Sequence, residues 1–175
     1  MPATFFLNSR WVAANPQLAA EFIAEPLFRV ENHGTRHVPL SVDGRAAYGI
    51  AGTASIDEAR DEILGNKGTL EQQFRHPTSW FRSGTAHYDD VSVEMARRLG
   101  VQIAGFAVNA DGGATLPQAA VTKAIVEAPS GSIIICHMNQ PSSDTAAGVR
   151  GALQQIFGEP GHPKPDAGVE FVQLP

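Results

Sequence analysis

A single cysteine, Cys136, stands among the 175 residues of this chain. No intrachain disulfide can form, which excludes the stapled scaffolds of small secreted domains. The sequence also lacks any run near the roughly 18 apolar residues that a membrane-crossing helix needs. No basic segment followed by an apolar stretch reads as a signal peptide. Positive charge is scarce: 13 lysines and arginines face 18 acids, a net charge of -5. That balance argues against a nucleic-acid partner or an anionic membrane surface. Internal repeats, low-complexity tracts and domain linkers are absent as well. What remains is 43% hydrophobic residues in a chain of a length suited to one globular domain spanning residues 1–175.

Strand-like and helix-like segments alternate from end to end. Thr4–Leu7 is a short β-type run, and Asn15–Pro16 opens a helix with proline at its first position. Leu27–Glu31 reads as the next strand. Ser55 and Glu58 have the spacing of a capping box, in which each side chain satisfies the other's orphan amide. Trp80–Phe81 is a third strand. Asp89 or Asp90 then caps a helix that stops at Gly100. Val101–Val108 reads as one strand, Pro117–Ala128 as a helix, and Gly131–Cys136 as a strand buried on both faces. Asp144–Phe157 is a helix, Gly158–Gly168 a loop and Val169–Leu174 a last strand. Such alternation means βαβ units and a parallel sheet or barrel, whose active site gathers beyond the carboxyl ends of the strands.

That rule sorts the polar residues. His33 and His37 follow the second strand, Arg82 and His87 follow Trp80–Phe81, Asn109 and Asp111 follow the fourth, and His137, Asn139 and Gln140 the fifth. His76 and His162 fall in connecting segments and read as surface residues. On a helical turn, the i, i+4 spacing of His33 and His37 would put both rings on one side, where two imidazoles can bind one transition metal. The same spacing fits two unrelated loop histidines, and the pair alone does not choose between them.

Taken in register, these segments resemble the polysaccharide deacetylase (NodB-homology, carbohydrate esterase 4) family. Pro2–Phe6 is similar to its "ATFF" strand, Asn15–Pro16 to its "NP" helix start, and Asn32–Leu40 to its "NHxxxHxxL" motif. Phe81–Arg82 resembles the motif that opens with a strand-end arginine. Val108–Asp111 stands where the fourth motif lies, and Ile135–His137 resembles the late "LxH" motif. The resemblance implies a distorted (β/α) barrel and a hydrolase removing acetyl groups from N- or O-acetylated oligo- or polysaccharide. It implies a divalent metal, usually zinc, held by His33, His37 and an aspartate. It also implies His137 as general acid, Arg82 orienting a carboxylate base and Asp111 holding the acid imidazole in its protonated form. A metal with three protein ligands keeps a position open for water and polarises the acetyl carbonyl. His87, Tyr88 and Asn139 are candidates for the substrate groove.

The chain departs from that pattern in several places. The family's aspartate-bearing first strand should precede Thr4–Leu7, and it would supply both the base and the third metal ligand. The expectation is therefore a barrel lacking its first strand and helix, an N-terminally incomplete reading of a longer protein. On that expectation the location is periplasmic or secreted if a signal peptide lies upstream, and cytoplasmic otherwise. An open barrel edge also invites pairing with another chain. Ser83–Tyr88 replaces the family's Pro-Tyr-Gly, Gly112–Gly113 stand where its fourth motif carries tryptophan, and no acid follows His137. These changes bear on the substrate more than on the reaction. The alternative is a non-catalytic homologue that binds glycans or assembles with another chain.

Overall fold

The computed structural model describes residues 1–164 and 168–175. The chain divides into two compact units, Met1–Ala104 with Phe171–Pro175, and Gly105–Glu170.

The first unit runs β1 (Ala3–Leu7), α1 (Ser9–Ala14), α2 (Pro16–Ala24), β2 (Phe28–Asn32), α3 (Ile56–Phe74), β3 (Trp80–Phe81), α4 (Asp90–Arg98) and β4 (Gln102–Ile103). Its four strands are parallel and lie in chain order, β1-β2-β3-β4. Their register puts Leu7 beside Asn32, Asn32 beside Phe81 and Phe81 beside Ile103. The strands therefore end in one row, and the residues that follow them emerge along one edge of the sheet. Among the described residues β1 pairs only with β2.

Helix ends in this unit are set by side chains. Asn8 accepts the Trp11 N–H at 2.9 Å and starts α1, a helix that the sequence reading passed over. Pro16 opens α2, where its missing N–H costs nothing. Ser55 accepts the Glu58 N–H at 3.1 Å, while the Glu58 carboxylate reaches the Ala54 N–H rather than that of Ser55, so the box is half made. Asp89 caps α4 through the Ser92 N–H at 2.7 Å. One core cluster joins Leu40, Ile63, Phe81, Met95 and Val101, and a second joins Leu7, Val12, Ala19, Val30 and Leu70. Each large apolar side chain buried there contributes about 1.5–3 kcal/mol. His76, expected at the surface, is half-buried, and its ring Nε2 lies 2.8 Å from the Val30 carbonyl oxygen, to which it donates.

The second unit runs β5 (Val108–Asn109), α5 (Gln118–Val126), β6 (Ile134–Ile135), α6 (Thr145–Phe157), β7 (Gly158–Glu159) and β8 (His162–Pro163). Strands β5 and β6 pair in parallel, and β7 and β8 form a small antiparallel hairpin. At Gly148 a Cβ would lie 2.4 Å from the Val121 Cβ, so a glycine lets α5 and α6 close on each other.

The structure corrects four expectations. The run Val101–Val108 is not one strand: Ala104 donates to the Phe81 carbonyl, Gly105 intervenes, and Ala107 donates to the Ile133 carbonyl. In the run Gly131–Cys136, Gly131 is exposed and the rest is half-buried rather than buried on both faces, because its sheet has only two strands. The stretch after α6 carries the β7–β8 hairpin instead of a plain loop; within that expected loop, residues 165–167 lie outside the described residues. Residues 169–174 form no strand. Side chains hold them instead, with Thr4 Oγ1 accepting the Leu174 N–H and Arg29 donating to the Leu174 carbonyl. No helix among the described residues is long and apolar enough to cross a membrane.

Candidate active site

Where β2 ends, Asn32 turns its side chain inward. Its Nδ2 donates to the Ile63 carbonyl at 2.8 Å, and its Oδ1 accepts from Gly34 N at 2.9 Å and Asn66 Nδ2 at 2.7 Å. Asn66 also donates to the Leu7 carbonyl and accepts the Ser9 hydroxyl. Asn32 and Asn66 are both buried, and a network so fully bonded is rigid. It ties the ends of β1 and β2 to α3 directly under the segment that carries the two histidines.

That segment is not the helical turn expected of an i, i+4 pair. Gly34 has φ +83° and His37 φ +63°, so the chain reverses through left-handed backbone. The rings meet all the same, edge to face with centroids 4.6 Å apart. His33 Nδ1 lies 2.7 Å from the Arg82 carbonyl oxygen. A carbonyl can only accept, so Nδ1 carries the proton, and in the neutral ring the lone pair sits on Nε2. A backbone acceptor behind one ring nitrogen is the usual means of orienting a histidine that binds metal through the other.

Glu62 of α3 fixes the turn. Its carboxylate is wholly buried and accepts the Arg36 N–H at 3.0 Å and the His37 N–H at 2.9 Å. A Cβ at Gly34 would lie 2.4 Å from Glu62 Oε1, so only glycine leaves room for that carboxylate. Sequence reasoning missed Glu62 and Asn66. The available signal was an acid and an amide standing four residues apart on the same helix stripe as Ala59, Ile63 and Leu70, where apolar residues belong.

Arg82 is 7% exposed, with Nε donating to the Ala104 carbonyl at 3.2 Å and its guanidinium 4.5 Å above the Phe6 ring. Burial holds its pKa below the ordinary arginine value. The structure separates His87 from Tyr88. His87 is exposed, donating from Nδ1 to the Thr85 carbonyl at 2.7 Å. Tyr88 packs against the Leu40–Phe81 core, its hydroxyl accepts the Ser83 N–H at 2.9 Å, and burial raises its pKa.

A second constellation lies in the Gly105–Glu170 unit. Asp111, fully buried, accepts the His137 backbone N–H at 2.6 Å, the His137 ring Nδ1–H at 2.8 Å, the Thr145 hydroxyl at 3.0 Å and the Gly113 N–H at 3.1 Å. Burial pushes the Asp111 pKa up, but the bonds from the His137 ring and amide, its charge and the Thr145 hydroxyl outweigh that, leaving it below the ordinary value. The half-exposed His137 ring is thus fixed by one nitrogen, as a proton-transferring imidazole requires. Asn139 is exposed two residues further on. Cys136 is only half-buried, yet burial together with the Asp111 charge pushes its thiol up to about 12, so it carries no nucleophile at neutral pH.

His33 and His37 supply the donor chemistry of a metal site, but the described residues hold no group of three His, Cys, Asp or Glu side chains arranged for a metal ion. They do not complete a three-ligand set by themselves.

Parallel strands that alternate with helices, β1 to β4 in the first unit and β5 and β6 in the second, define an α/β protein. The polysaccharide deacetylase family's sequence profile matches residues 1–104, and the chain belongs to that family. No curated protein sequence matches the chain. Among solved structures, a family 4 carbohydrate esterase pseudoenzyme from Bacillus anthracis is similar at 21% identity and a TM-score of 0.72, covering 88% of this chain and 50% of its own. A peptidoglycan deacetylase from Bacillus subtilis aligns at 18% identity and a TM-score of 0.69, over 89% and 69%. A family 4 carbohydrate esterase from Streptomyces lividans, in complex with acetate, aligns at 17% identity and a TM-score of 0.71, over 89% and 74%. The chain spans about half the length of the first of these. The fold is that of the polysaccharide deacetylases.

Proposed function

We propose that this chain belongs to a metal-dependent hydrolase that removes acetyl groups from N- or O-acetylated carbohydrate, its two units acting as one domain. His33 and His37 donate two ligands to a divalent metal, zinc by preference, and His137 is the general acid. Once bound, such a metal polarises the acetyl carbonyl and lowers the pKa of its water. Arg82 positions the His33 ring through its backbone carbonyl, which accepts from Nδ1. Asp111 orients the His137 imidazole, which gives a proton to the leaving amine or alkoxide. His87 and Asn139, both exposed, would contact the sugar.

The observation that carries this reading is the meeting of the His33 and His37 rings at 4.6 Å, with the His33 tautomer set for binding through Nε2. Its test is acetate release from acetylated chito-oligosaccharide by the zinc-loaded chain and by His137→Ala. Release that disappears in the variant while zinc is retained supports it. Acetate release at the wild-type rate in His137→Ala overturns the acid.

A non-catalytic glycan-binding homologue is the second reading. It is favoured by the lack of a three-residue metal group among the described residues and by the likeness to a pseudoenzyme. Sugar binding with zinc present and no acetate released would select it.

A further inference from the structure

We infer that Tyr48 and His87 form a sugar-binding platform on the same rim as the His33–His37 turn, with a pyranose ring of a β-linked acetylated polysaccharide lying on the tyrosine face. The inference rests on the carbohydrate reading above. It starts from a residue that neither local geometry nor packing explains. Ala47 and Ile50 exchange both backbone hydrogen bonds, at 3.0 and 2.9 Å, around Tyr48 and Gly49. Those central residues have φ of +52° and +74°. A two-residue turn with positive φ at both positions strongly prefers asparagine followed by glycine. A bulky side chain with positive φ is an outlier. Tyr48 is therefore the wrong residue for its turn, and at 81% exposure it contributes nothing to a core.

One neighbouring ring touches it. The His87 ring meets it edge to face, with centroids 5.1 Å apart. His87 is anchored in turn, through its Nδ1 bond to Thr85 and through its carbonyl, which accepts the Leu40 N–H at 3.0 Å and the Ser83 hydroxyl at 3.0 Å. A tyrosine side chain has only two torsions to order and so loses little freedom on binding. Its negative π face suits the patch of axial C–H groups on an all-equatorial β-linked pyranose, and its hydroxyl can bond a ring substituent.

The location fits as well. A Cβ at Gly84 would lie 2.2 Å from the His37 carbonyl carbon, so Gly84 rests directly on the second histidine's backbone. From Gly84 to His87 the chain spans at most about 11 Å. A sugar on Tyr48 would thus be separated from the backbone of the second histidine by no more than the Gly84–His87 segment and the Tyr48–His87 ring contact.

The test sets stability against binding. Tyr48→Asn suits the turn, so its melting temperature should match or exceed that of the wild type. Its affinity for the tetramer of β-1,4-linked N-acetylglucosamine, measured by calorimetry with the whole chain, should fall at least tenfold. Tyr48→Trp should keep the affinity. If the wild type binds the tetramer and Tyr48→Asn binds it equally, the platform is overturned and the carbohydrate reading survives. If the wild type binds neither this tetramer nor its fully deacetylated counterpart, both fail together.

Discussion

The Glu62 carboxylate, wholly buried, accepts the backbone N–H of His37 at 2.9 Å. The second candidate ligand is thus fixed through its main chain by an acid on α3, while the first is fixed through its ring by the Arg82 carbonyl. Glu62→Ala removes the acceptor and leaves the Arg36 and His37 amides unmatched. The expected cost is about 3 kcal/mol of stability, from two charge-assisted bonds of about 1.5–3 kcal/mol each less what water recovers. Zinc affinity should fall at least tenfold, the usual scale for the groups behind metal ligands. Denaturant unfolding and a zinc competition titration check both. A variant that is destabilised but binds zinc normally would show that Glu62 serves the fold alone.

The paired imidazoles make a separate prediction. Zinc should bind this chain with one site, and His33→Ala or His37→Ala should each abolish measurable binding. Both rings line the same turn, so the two losses should be equal rather than additive. Chelation should reverse the binding without unfolding the protein, since Asn32, Asn66 and Glu62 hold the turn without metal. Retained zinc affinity in either variant would remove that histidine from the site.

Much of this was legible in the sequence because strand-end rules need only element order. His33, Arg82 and His137 could be placed after strands from the apolar runs before them. What stayed hidden depends on partners distant in the chain. Glu62 and Asn66 interrupt the apolar stripe of α3, and only the fold shows that they meet the Asn32–His37 segment some 30 residues earlier. Gly105 divides an apolar run into β4 and β5, but a single glycine in a strand-like pattern does not announce a change of partner strand. The helical-turn expectation for His33–His37 failed because the pull of Glu62 on two consecutive amides, not local propensity, sets that backbone.

Close approach at Gly84 gives a third prediction. A methyl group there would stand 2.2 Å from the His37 carbonyl carbon, and backbone cannot yield as a flexible side chain can. Gly84→Ala should cost about 1–3 kcal/mol, the range for overpacking, and should shift the His37 ring resonances in NMR spectra. Gly105→Ala, where a Cβ meets nothing within 4 Å, is the control and should be close to neutral. Equal stability of the two variants would contradict the packing described.

The buried Asp111 makes stability depend on acid. Its pKa in the folded chain lies below the ordinary 3.8, so on acidification the unfolded chain takes up this proton first. The stabilisation is therefore complete above the ordinary aspartate range and disappears as pH falls through the lower folded value. Asp89 shifts in the same direction, where bonds from the Ser92 and Val42 amides outweigh burial. Asp111→Asn should lose about 1–3 kcal/mol at neutral pH, because a charged acceptor of the His137 ring is gone. It should then lose less than the wild type between about pH 5 and pH 2, one source of the acid slope having been removed. Melting temperature measured across that range for both proteins separates the outcomes. A variant with the wild-type slope would mean that Asp111 does not hold His137 as a carboxylate, and the orientation of the His137 ring would need another cause.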